Sequence, residues 1–84
     1  MKTDFSDIRD HVKRYKKRFP MFLKDIRRIE NTIENHIKLH SQYLVKYKQT
    51  HSNKYLEKAQ AEIDQINNLL KLIDKIELMA MLAK

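Results

Sequence analysis

Apolar residues recur along this chain at steps of three and four. Phe5, Ile8, Val12, Tyr15 and Phe19 follow one another at 3, 4, 3 and 4, which is one stripe of an amphipathic helix. The helix is expected from about Asp4 to Arg18. Thr3 or Asp4 supplies a side-chain oxygen for the free N–H groups of its first turn. Pro20 closes it, because a proline disfavours the helical region for the residue before it, and the same proline suits the first turn of a following helix. A second pattern, Phe22, Ile26, Ile29, Ile33, His36, His40, Tyr43 and Tyr47, alternates steps of 4 and 3 and predicts a helix from about Met21 to Lys48. At 1.5 Å per residue this helix is about 42 Å long. Its second half is polar-aromatic, and a competing stripe of Ile33, Ile37, Leu44 and Lys48 drifts round it, which leaves two registers open after Ile33. A third pattern, Leu56, Ala59, Ile63, Ile66, Leu70 and Ile73, keeps 3, 4, 3, 4 and 3 within a helix expected from Asn53 or Lys54 to Ala83.

Between the second and third patterns lies "QTHSNK", residues 49–54, a polar cluster with no apolar residue. Ser52 and Asn53 favour turns and caps through side-chain to backbone hydrogen bonds. A short connection sets its flanking helices antiparallel. The chain has no glycine and one proline, so it lacks the residue that tight turns and sheet bulges normally use. The expected fold is all-α: a short N-terminal helix followed by a long antiparallel helical hairpin, three helices in a coiled-coil-like arrangement. At 84 residues the chain makes one helical domain, 1–84, and buries about 60–65% of its unfolded surface. With no cysteine there is no disulfide to supplement that burial. The hairpin therefore needs the first helix as a third layer, and association with further copies is expected.

Charge adds a second pattern. The net charge of +7 is concentrated early: residues 1–30 hold ten Lys/Arg against five Asp/Glu, and residues 55–84 hold four against five. In "HVKRYKKRFP", residues 11–20, cations crowd one short stretch. Lys13, Arg14, Lys17 and Arg18, with Arg27 and Arg28 beyond Pro20, are the candidate contact for a phosphate backbone or an acidic partner. Like charges at i, i+4 repel, and a polyanion relieves that repulsion while releasing counterions. The competing explanation is internal. Asp4, Asp7 and Asp10 stand at the start of the helix and the cations at its end, as the helix dipole favours. The cluster matches no recognised nucleic-acid-binding motif.

Several classes of chemistry are disfavoured. No apolar run reaches the length of a membrane span, and "MKTDFSDIRDH" lacks the apolar segment of a secretion signal, so a cytoplasmic location is expected and a membrane partner is not. A glycine-rich phosphate loop needs glycine. Ser6, Ser41 and Ser52 stand in no nucleophile motif, so no catalytic residue is assigned, and no cofactor. His36 and His40 share a helix face at i, i+4. A third metal ligand would have to come from Glu34, His11, His51 or the facing helix, and the pair is read as polar seam residues with no metal site.

The C-terminal "NNLLKLIDKIELMAMLAK" is apolar nearly all round after Glu77. Such a helix is covered on all sides. Leu69, Leu72, Ile76, Met79 and Leu82 are therefore the expected protein interface, with the methionines supplying adaptable contacts. The sequence thus points to a non-enzymatic interaction or regulatory protein that binds another protein and itself, as a homodimer, through its third helix. A nucleic-acid-binding protein using the basic N-terminal face is the alternative.

Overall fold

The computed structural model describes residues 5–82. It consists of three α-helices, α1 (Ser6–Arg18), α2 (Leu23–Thr50) and α3 (Asn53–Leu82), with a single 3-10 turn at Pro20–Phe22 between the first two. α2 and α3 pack along their length as a hairpin, the all-α arrangement that the two long stripes predict. α1 folds back antiparallel to α2. Its Arg9 meets Glu34 and its Lys16 meets Glu30.

The boundaries follow from local chemistry. Phe19 leaves the helical region (φ −125°, ψ 65°) directly before Pro20, which occupies the first turn of the 3-10 segment. The Phe19 N–H still donates to the Tyr15 carbonyl at 2.9 Å, and the Phe22 N–H to the Phe19 carbonyl at 3.0 Å. At the other end of α1, Phe5 stands at the cap position without a side-chain cap bond. Thr3 and Asp4, the expected caps, lie outside the described residues, as does Ala83. α2 runs two residues past the expected Lys48, because the Thr50 hydroxyl donates to the Lys46 carbonyl at 2.8 Å and holds the last turn.

The turn between α2 and α3 is therefore only His51 and Ser52. His51 adopts the left-handed conformation (φ 55°, ψ 25°), with its N–H on the Tyr47 carbonyl at 2.6 Å. This position after a helix end usually takes glycine, and the chain has none. Ser52 is held from both sides. Its N–H reaches the Thr50 hydroxyl at 3.3 Å and its carbonyl accepts the Tyr55 N–H at 3.1 Å.

The core is one continuous cluster. Phe5, Val12, Tyr15 and Phe19 of the first segment meet Ile26, Ile33 and Ile37 of α2 and Ile66, Ile73 and Ile76 of α3. Ile26 and Ile73 have no exposed surface. Full burial of one such side chain stabilises by about 1.5–3 kcal/mol. The N-terminal stripe is thus spent on the hairpin. The two registers expected after Ile33 both contribute, since Ile37 and His40 are buried side by side on neighbouring turns. Layering is uneven along the 53 Å molecule. α1 covers the open end of the hairpin, from His40 down to Ile26, and leaves the closed end, beyond Ala59, as two helices alone.

Candidate functional site

Ion pairs fasten both flanks of α1. Toward α2, Arg9 donates to Glu34 through two nitrogens, Nε at 2.8 Å and Nη2 at 3.1 Å, and Lys16 Nζ lies 2.9 Å from Glu30. The Arg9 guanidinium holds the Glu34 carboxyl below the usual carboxylate range. Toward α3, Arg18 Nη1 is 3.2 Å from Glu77, and His11 Nε2 is 3.5 Å from Asp74. The Tyr15 hydroxyl donates to Glu77 at 2.6 Å with Asp74 at 3.2 Å. Burial first, and then these two carboxylates, raise the Tyr15 phenol well above its ordinary value.

The predicted basic residues divide accordingly. Arg18 is taken up by Glu77, with its guanidinium carbon 5.2 Å from the Phe19 ring. Lys13, Arg14, Lys17, Arg27 and Arg28 are exposed and have no ion-pair partner among the described residues. Lys13, Arg14 and Lys17 share the outer face of α1 with Asp7 and Asp10, all five around one shallow depression. Three cations against two carboxylates leave that face a net +1. Arg27 precedes Glu30 by one turn, so helical spacing turns it toward the α1 flank.

The predicted apolar interface also divides. Ile76 is buried in the core and Leu69 packs against it, so neither belongs to an outer surface. The reason is register. At 69 and 76 the stripe still points at α2, whereas Leu72, Met79 and Leu82, at spacings of seven and three, turn outward. These three are 44%, 51% and 76% exposed, and Leu78 and Met81 beside them are exposed too. Met21, in the 3-10 turn at the same end of the molecule, is 72% exposed. The encirclement read from the sequence is thus half satisfied, with Ala80 packed inward against the core and its neighbours open.

The two histidines diverge. His36 Nδ1 donates to Glu62 of α3. His40 is buried, its ring edge-on to Phe5 at 5.3 Å. Burial lowers its pKa, and the Glu62 charge partly offsets this. Glu34 and His11 are engaged by Arg9 and Asp74, away from the pair.

A further cluster escaped the sequence reading. At the closed end, the rings of Tyr43 (α2) and Tyr55 (α3) stack across the hairpin, with centroids 6.5 Å apart and planes at 24°. Lys58 Nζ lies 5.7 Å and 5.9 Å from the two rings, and Lys46 Nζ lies 5.7 Å from Tyr55. The signal was present as the change from isoleucine to tyrosine in the α2 stripe, but the pairing partner on α3 is set only by the position of the turn.

Among the described residues no helix is long and apolar enough to cross a membrane. The fold and these surfaces define an all-α helical hairpin braced by a third helix. The chain matches no family model, no curated protein and no solved structure.

Proposed function

We propose that this protein is a non-enzymatic interaction module that self-associates, and engages another protein, through the outer face of the C-terminal end of α3. One observation carries this reading. Five large apolar side chains, Leu72, Leu78, Met79, Met81 and Leu82, lie exposed within the last turns of one helix. Singly scattered surface hydrophobics are ordinary, whereas a contiguous group rimmed by charge marks an interaction site. Lys71, Asp74 and Lys75 are exposed on the same face, among and just before these side chains. A second copy is the simplest occupant, because a two-fold contact needs only one self-complementary patch. A dimer interface of standard size covers about 800 Å² per partner, roughly an eighth of the 6516 Å² surface.

Sedimentation equilibrium over a concentration series tests this. The wild type is expected to approach dimer mass, and Leu72→Lys with Met79→Lys to stay monomeric with unchanged helical circular dichroism. A wild type that remains monomeric throughout the series overturns the reading.

A second reading, a phosphate-backbone contact through Lys13, Arg14, Lys17, Arg27 and Arg28, is supported by the lack of ionic partners for these five. It is weakened by Asp7 and Asp10 on the same face. Glutamine at Lys13, Arg14 and Lys17 is expected to remove any duplex binding that belongs to it.

A further inference from the structure

A second concentration of unpaired positive charge lies at the closed end of the hairpin. Residues 38–58 carry Lys38, Lys46, Lys48, Lys54 and Lys58 against one carboxylate, Glu57. The nearest carboxylates along the chain, Glu34 and Glu62, are already engaged by Arg9 and His36. None of the five lysines has an ion-pair partner among the described residues. Among them runs an aromatic strip. Tyr43 and Tyr47 stand one turn apart on α2, Tyr55 stacks on Tyr43 from α3, and the His51 ring meets Tyr47 edge-on at 6.1 Å. The three tyrosines are half-buried and His51 is exposed. The first helix reaches only as far as His40, through Phe5 at its start, and the core cluster contains no residue of this segment.

From this juxtaposition we infer that the hairpin tip is a contact site for single-stranded nucleic acid, with unpaired bases stacking on Tyr43, Tyr47 and Tyr55 and phosphates held by Lys46, Lys48, Lys54 and Lys58. Stacking platforms among cations bind single strands without reading sequence, because every base has a π-face. The lysine ammoniums now resting against the rings leave them for phosphate oxygens, and the vacated ring surface takes the base. A duplex hides its base faces and gains only the charge term. The inference stands apart from the self-association reading, which lies at the other end of the molecule.

Fluorescence anisotropy of the full chain with a labelled oligo-dT of about 12 nucleotides, beside a duplex of equal length and vesicles of phosphatidylcholine with phosphatidylserine, tests it. Tighter binding to the single strand than to the duplex is expected. With four phosphates neutralised, affinity should fall about 50-fold between about 50 mM and about 200 mM salt. Tyr55→Phe should bind as the wild type does. Tyr55→Leu, which keeps apolar bulk but has no ring, should bind about tenfold more weakly. Lys58→Gln should weaken binding and flatten the salt dependence, whereas glutamine at Lys13, Arg14 and Lys17 should change neither. Circular dichroism of each variant separates lost binding from lost fold. Any of three results overturns the proposal: no binding to the single strand at low salt, binding that survives Tyr55→Leu in a folded protein, or binding to vesicles alone.

Discussion

Tyr15 shows how one residue serves two layers. Its ring fills the core between α1 and the hairpin, and its hydroxyl reaches Glu77 and Asp74 on α3. The folded state resists its ionisation, because a phenolate there would be both desolvated and beside two carboxylates. The unfolded phenol ionises near pH 10. Its contribution is therefore complete below that pH and is lost as pH rises above it. Absorbance titration should show one tyrosine still protonated past the ordinary range while the chain stays folded, and Tyr15→Phe should remove that delayed step. The same variant should cost about 1 kcal/mol near neutral pH. His40 has the opposite sense. Burial beside Phe5, at the start of α1, lowers its pKa, and the Glu62 charge from α3 offsets this only in part, so protons favour the unfolded chain below about pH 6.5. Between pH values of about 7.5 and 5.5 the wild type should lose more stability in urea titrations than His40→Leu does. The difference isolates His40 from the carboxylate-paired His11 and His36, and equal losses would sink the idea. Residues of this kind were only half legible. The stripe placed Tyr15 and His40 inward, but nothing in spacing says which helix supplies the carboxylate.

At the scale of elements, the stripes and Pro20 placed all three helices, because a 3.6-residue period sustained over several turns has no competing explanation. The ends were less readable. α2 gained two residues from a Thr50 hydroxyl bond and a left-handed His51, neither of which follows from hydrophobic pattern. His51→Gly relieves the left-handed strain and should stabilise by about 0.5–1 kcal/mol, raising the melting temperature by about 2–8 °C for a domain of this size. A fall in melting temperature would mean that the His51 ring on Tyr47 outweighs the backbone term. The five candidate apolar positions on α3 illustrate the same limit. Leu69 and Ile76 face the core while Leu72 between them, and Met79 and Leu82 after them, face outward, and helical spacing alone does not show where the boundary of the covered face falls.

Across the whole molecule, charge is sorted by the layers. Cations of α1 beside its neighbours find carboxylates, those on its outer face share it with Asp7 and Asp10, and the five lysines of the closed end share theirs with Glu57 alone. Part of the net charge of the N-terminal third is therefore spent inside the fold. Counting charges along the sequence weighs every Arg equally, whereas the fold removes Arg9, Lys16 and Arg18 from the count by pairing them. The apolar excess at the C-terminal end behaved differently. It was visible in the sequence and stays exposed in the fold, because among the described residues neither α1 nor α2 covers it.

The uneven layering also sets a gradient of motion. Where three helices meet, opening the backbone must expose Ile26, Ile33, Ile66 and Ile73 together. Around His51 it exposes little beyond partly wet tyrosines. Local opening free energies follow the apolar contact that must be broken. Amide hydrogens of residues 44–58 should thus exchange with deuterium well before those of 26–37 and 66–76, and a ligand seated on the closed end would report itself by slowing them. Uniform protection along α2 would contradict this. The hairpin is in effect a stiff handle with a loosely wound grip.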